Sequence, residues 1–193
     1  MSKFHLFEGP CLLFRPFEIQ RVFFNHLNEY RYKKLDPTYT REGLDAGVKE
    51  GIVRIAKDLR EKNETKMVDY LGKHLRYRLK LRLPEMDKSV LQQNLNFDVD
   101  NIRKVYLHSI FMTMEGVKLT EDTRYTAFVT SIAYIDPKGT GPLSSFQVAK
   151  RVNDFLVCNI TFGRTVKPMG KWRISDVNFF DPAVTEQLAH VYV

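Results

Sequence analysis

No apolar run in this 193-residue chain approaches the roughly twenty residues that a membrane-spanning helix requires. The expectation is a soluble or membrane-peripheral protein. Cysteine is almost absent: Cys11 and Cys158 are the only two, which excludes a disulfide scaffold and fits a reducing compartment better than a secreted one. The sequons Asn63-Glu64-Thr65 and Asn159-Ile160-Thr161 then carry little weight as glycosylation sites. His5, His26, His74, His108 and His190 stand at no zinc-ligand spacing with one another or with the thiols. A phosphate-binding glycine loop and a nucleophile elbow are also missing. The chain is accordingly read as taking no metal and no cofactor. Acid is the scarcer charge, 23 Asp and Glu against 30 Lys and Arg, and the net +7 favours an anionic partner such as RNA, a ribosome or acidic lipid.

What is present divides near Pro84. Before it the pattern is helical and charged; after about Asn101 it turns to short runs rich in β-branched and aromatic residues, an α+β order. A helix is expected over about Arg15 to Leu35, with Pro16 in its first turn and Ile19, Phe23, Leu27 and Tyr30 forming its apolar face. Thr38 or Thr40 caps a second helix whose core stripe is Leu44, Val48, Ile52, Ile55 and Leu59. Gly43, Gly47 and Gly51 recur every four residues on it, a cost in helix propensity that close approach of another backbone would offset.

The stretch KHLRYRLKLRL, Lys73 to Leu83, fits two periods. Alternation suggests a strand, but Met67, Val68, Leu71, Leu75 and Leu79 sustain a helical stripe from about Glu64, so a third helix is predicted, fraying before Pro84. On that helix Lys73, Arg76 and Lys80 share the face away from the leucines, with Arg78 and Arg82 nearer the apolar stripe. These five form a candidate polyanion-binding face, the alternative being a merely solvated one. Four strands follow at about Ile102 to Lys118, Arg124 to Ile135, Phe155 to Thr165 and Lys171 to Phe180, with turns at Gly116, Asp136-Pro137-Lys138-Gly139 and Pro168-Met169-Gly170. Ser145 to Arg151 is a further strand or a helical turn. Helices ahead of a curved antiparallel sheet suggest a cone-like domain with a pocket between the two layers. Phe111, Phe128, Tyr134, Phe162 and Trp172 are candidates to line it. Such a pocket could also host an enzyme, for which Tyr106, His108, Tyr125 and Asp176 are the strand-borne candidates.

Asp36-Pro37-Thr38-Tyr39, then Glu42-Gly43-Leu44 and Gly47, then Met67-Val68 and Leu71 ahead of a basic helix end, resemble the opening of the C-terminal-domain family of the matrix-side mitochondrial import translocase. Val166-Lys167-Pro168 followed by Trp172-Arg173-Ile174 is similar to that family's last hairpin. The likeness covers about Phe17 to Phe180, while Gly51 and the basic KHLRYRLKLRL depart from the pattern. The resemblance implies an NTF2-like or cystatin-like α+β cone over residues 17–181, with an N-terminal arm at 1–16 and a tail at 182–193. It further implies a non-enzymatic adaptor in the mitochondrial matrix, peripheral to the inner membrane. Its partners would be the m-AAA protease or the mitoribosome, imported or nascent polypeptides, anionic inner-membrane lipid, and the backbone of ribosomal RNA. A large-subunit mitoribosomal relative near the exit tunnel shares the architecture. The opening MSKFHLFEGPCLLFRPFEIQR sets Lys3, Arg15 and Arg21 against Glu8 and Glu18, unlike an Arg-rich presequence. A matrix location would therefore need an upstream segment.

Overall fold

Leu156 to Ile160 are all buried, a pattern that requires cover on both faces of the strand carrying them. The computed structural model supplies it; it describes residues 4–14, 19–115 and 124–183. Four antiparallel strands, β1 (Ile102–Glu115), β2 (Arg124–Ile135), β3 (Leu156–Thr165) and β4 (Arg173–Phe180), lie in sequential order as one open sheet. The fold is α+β. One face packs against α2 (Arg41–Glu61), α4 (Lys73–Arg82) and α5 (Lys88–Leu95), whose Ile52, Ile55, Leu75, Leu79 and Leu91 meet Cys158, Ile160, Val177 and Phe179. The opposite face is covered at one end by residues 11–14 and α6 (Ser145–Lys150), over Ile132, Tyr134 and Val157. A bulge opposite Thr161 and Phe162 places an extra residue in β4, so Ile174 and Val177, three apart, both reach the helical core.

Both sheet edges are covered. At β1 the cover is α1 (Ile19–Leu35), which turns a polar face inward: Asn25 donates to the His108 carbonyl (2.8 Å) and accepts from the Ile110 amide (3.2 Å), and Asn28 donates to the Ile110 carbonyl (2.7 Å). This overturns the expected core stripe, since Phe23 and Tyr30 are 60% and 61% exposed and Leu27 is exposed as well. The sheet edge offers unpaired peptide groups, and amide side chains satisfy them where apolar ones cannot. At β4, Tyr70 and Gly72 bracket Ile174 with two backbone bonds of 2.8 Å, and the Leu6 amide donates to the Phe179 carbonyl.

Those bonds at Tyr70 and Gly72 also interrupt the third helix predicted from the leucine stripe. A short α3 (Glu64–Met67) ends, Leu71 bridges to Ile174, and α4 begins after Gly72. Met67, Leu71, Leu75 and Leu79 are buried as expected, but Val68 is 47% exposed, because the chain has left the helix there. Ser145 to Lys150 resolves as a helical turn, and α5 had no counterpart in the sequence reading. Arg15, Pro16, the Ile19 side chain, the Gly116 turn, residues 117–118 of the first strand, and residues 184–193 of the tail lie outside the described residues.

Candidate functional site

The turn after α1 builds one wall of a cleft. Asp36 is an acceptor turned back on its own loop, taking the Thr38 hydroxyl at 2.6 Å and the Thr38 amide at 3.2 Å. Thr40 then caps α2 by accepting from the Gly43 amide at 3.0 Å. Arg164 of β3 reaches across and bonds both Asp36 and the Tyr32 hydroxyl, while its guanidinium lies 4.5 Å over the Trp172 ring. With side chains only 11% and 8% exposed, Arg164 and Asp36 form a buried, multiply hydrogen-bonded ion pair. The space between these groups and the first turns of α2 is about 270 Å³, lined by Tyr39, Gly43, Gly47, Phe162, Arg164 and Trp172 among others.

The glycines act differently from the close backbone approach expected of them. A Cβ at Gly51 would lie 2.7 Å from the Phe162 ring, so an aromatic side chain is what comes close. At Gly47 a Cβ would meet nothing within 4 Å, so this residue widens the cleft. Electrostatics follow from the same packing. Burial by itself would raise the Asp36 pKa, but the Thr38 hydroxyl, Arg164 and Tyr32 together hold it below 3.8. Burial lifts Tyr32 to about 12 against the opposing pull of Arg164. It raises Tyr39 also, reinforced by the Tyr39 hydroxyl's 2.8 Å bond to Glu29.

Of the aromatic candidates, only Phe162 and Trp172 line this cleft. Tyr134 points to the other face of the sheet, where it borders an apolar cavity of about 480 Å³ with Leu13, Phe14, Tyr106 and Phe146. Phe111 and Phe128 are cross-strand partners stacked on each other, 5.1 Å between centroids, and line neither space. Strand parity sets Phe128 and Tyr134, six apart on β2, on the face away from Phe162, which stands opposite Val129. The enzyme candidates also scatter. Tyr106 packs under Phe14, Tyr125 beside the Tyr32 cluster, and Asp176 pairs with Arg78 at 2.8 Å. His108 sits on β1 with its carbonyl bonded to α1. Among the described residues no group of three or more His, Cys, Asp and Glu is placed to hold a metal ion.

The basic helix divides likewise. Lys73 and Lys80 are exposed and Arg76 half-buried; Arg76 and Lys80, but not Lys73, line a groove of about 380 Å³ with Met67, Leu71 and Leu79. Arg78 and Arg82 face inward instead: Arg78 binds Asp176 and covers the Phe7 ring at 4.1 Å, and Arg82 donates to the Leu6 carbonyl at 2.9 Å and pairs with Glu85. Arg164 was not among the candidates, although strand alternation puts it on the same side as Phe162, where a buried cation needs an acid. No protein-family model matches the chain, and no curated protein matches it in sequence.

Proposed function

We propose that this protein is a non-enzymatic adaptor of mitochondrial protein biogenesis and quality control, acting in the matrix at the surface of the inner membrane. It resembles the m-AAA protease-interacting protein in the motifs named above, and its sheet and helices are read as a variant of the NTF2-like cone. One observation carries the reading: Asp36, Tyr39, Gly43, Gly47 and Trp172, scattered from residue 36 to 172 and all part of the resemblance, line a single cleft. That cleft has an apolar wall, a glycine-widened mouth and a charged floor already satisfied internally. Such a surface suits a polypeptide side chain better than a reaction, because its ionised groups are committed to each other. Its partners on this reading are the m-AAA protease and newly imported or newly synthesised polypeptides.

A photo-crosslinking residue at position 47 tests this in isolated mitochondria. Adducts with the protease or with a polypeptide in transit are expected, and Trp172→Ala should reduce them. Recovery of the protein outside mitochondria, or adducts with neither class, overturns the reading. A second reading, a structural protein of the large mitoribosomal subunit, is favoured by the exposed Lys73 and Lys80. Co-sedimentation with that subunit at a fixed stoichiometry separates the two.

A further inference from the structure

Residues 4–6 pair along the edge of β4, and residues 7–14 then cross the sheet from β4 over β3 and β2 to β1, held chiefly by their main chain. Asn178 of β4 accepts from the Phe7 amide (3.0 Å) and donates to the Phe7 and Pro10 carbonyls (3.1 Å each). Its register partner on β3, Asn159, accepts from the Leu12 amide (2.6 Å) and donates to the Leu12 carbonyl (2.9 Å). The Tyr134 hydroxyl of β2 accepts from the Phe14 amide (3.1 Å), and Phe14 stacks on Tyr106 of β1.

We infer that this face of the sheet is a docking track for an extended apolar polypeptide, and that residues 11–14 fill it in place of that partner. Asn159 and Asn178 are buried. Each amide projects from the face of the sheet and pairs with both the N–H and the C=O of one residue, groups that nearly every residue carries. Asn178 holds Phe7 and Pro10, which anchor the strap, so lifting residues 11–14 off would strand the Asn159 amide alone, whereas exchanging them for another main chain keeps its two bonds. The grip is also uneven. Phe4, Leu6 and Phe7 are buried in the main core and fixed, Glu8 to Pro10 are exposed, and residues 11–14 are only half-buried above the 480 Å³ apolar cavity. Exchange therefore involves residues 11–14, with the cavity and the exposed Phe146 beside it receiving the partner's apolar side chains. This site lies on the opposite face from the cleft and does not rest on the cleft's role.

Cys11 reports on the exchange, since its half-buried thiol is carried by the exchanging segment and accepts from the Asn178 amide at 3.5 Å, while Cys158 is fully buried. The rate of Cys11 alkylation by a maleimide should rise several-fold when the full chain is mixed with a thiol-blocked, permanently unfolded polypeptide such as reduced, carboxymethylated lactalbumin. Leu12→Pro, which removes one strap N–H and leaves the sheet untouched, should lower the polypeptide concentration needed. Asn159→Ala should abolish the response. Should Asn159→Ala fail to fold, the Leu12→Pro comparison decides. No acceleration in either wild type or Leu12→Pro overturns the inference. Loss of the response in Gly47→Leu, which blocks only the cleft, also overturns it, and a rate that climbs with the protein's own concentration alone assigns the face to a second copy instead.

Discussion

Two glycines four residues apart on one helix should respond in opposite directions to the same methyl group. Gly51→Ala pushes Cβ into the Phe162 ring, and overpacking of this kind costs about 1 to 3 kcal/mol, more than the roughly 1 kcal/mol that alanine returns in helix propensity. Gly47→Ala meets open space and should stabilise by about 0.5 to 1 kcal/mol while narrowing the cleft. Urea melts of both, and of Gly51→Ala with Phe162→Ala, measure the difference; additivity of that pair would show that the ring is not the obstacle. The Arg164–Asp36–Tyr32 cluster adds a pH signature. Because folding lowers the Asp36 pKa, its contribution is complete above pH 3.8 and fades as pH falls through the lowered value. Because folding raises Tyr32 from 10.0 to about 12, its contribution is complete below pH 10 and is lost as pH climbs through about 12. Asp36→Asn should flatten the acid limb of a stability–pH curve and also shrink the alkaline limb, because the Asp36 carboxylate helps to raise Tyr32; an unaltered acid limb would contradict this.

At the scale of elements, the break at Gly72 distinguishes residues that one continuous stripe would treat alike. Leu75→Ala should cost about 2 to 5 kcal/mol, as core leucines do. Val68→Ala, at an exposed position, should cost well under 1 kcal/mol. Equal losses in denaturant melts would restore the unbroken helix. The comparison also shows what the sequence made legible. The buried stripes of α2 and α4, the strand positions and the α+β order could be read from periodicity, because burial against one partner imprints a period. The inverted α1 could not be read in this way: its apolar face is real, but the edge of β1 competes for the side that carries Asn25 and Asn28. The cleft was half legible. Trp172 and Phe162 were named among its lining, but Arg164 is recognised as its floor only once Asp36 is known to stand opposite.

For the whole molecule, ion pairs within the chain cancel charge in equal amounts, so the formal +7 resides on cations outside those pairs. Arg78, Arg82, Arg103 and Arg164 each pair with an acid of the same chain, so attraction to a polyanion falls to outward groups such as Lys73 and Lys80. Replacing those two lysines by glutamate should leave the melting curve unchanged and weaken sedimentation with anionic liposomes or ribosomes. Salt should mimic the change as the screening length shrinks from about 10 Å at 0.1 M to about 3 Å at 1 M. Retention of wild-type binding by the double variant would mark the face as solvated surface only.

The bond between Phe7 and Asn178 closes a separation of 171 residues, and it bears on how the chain comes into being. A ribosome or a translocation pore delivers the amino-terminal end first. Phe4, Leu6 and Phe7 must then wait, without their partners, until β4 has emerged at the other end. Helices and the sequential hairpins can form as they appear, whereas the last seam to close joins the first-delivered residues to the last-formed strand. A nascent chain halted before Arg173 should therefore hold its helices but leave those early aromatic residues open to any chaperone nearby.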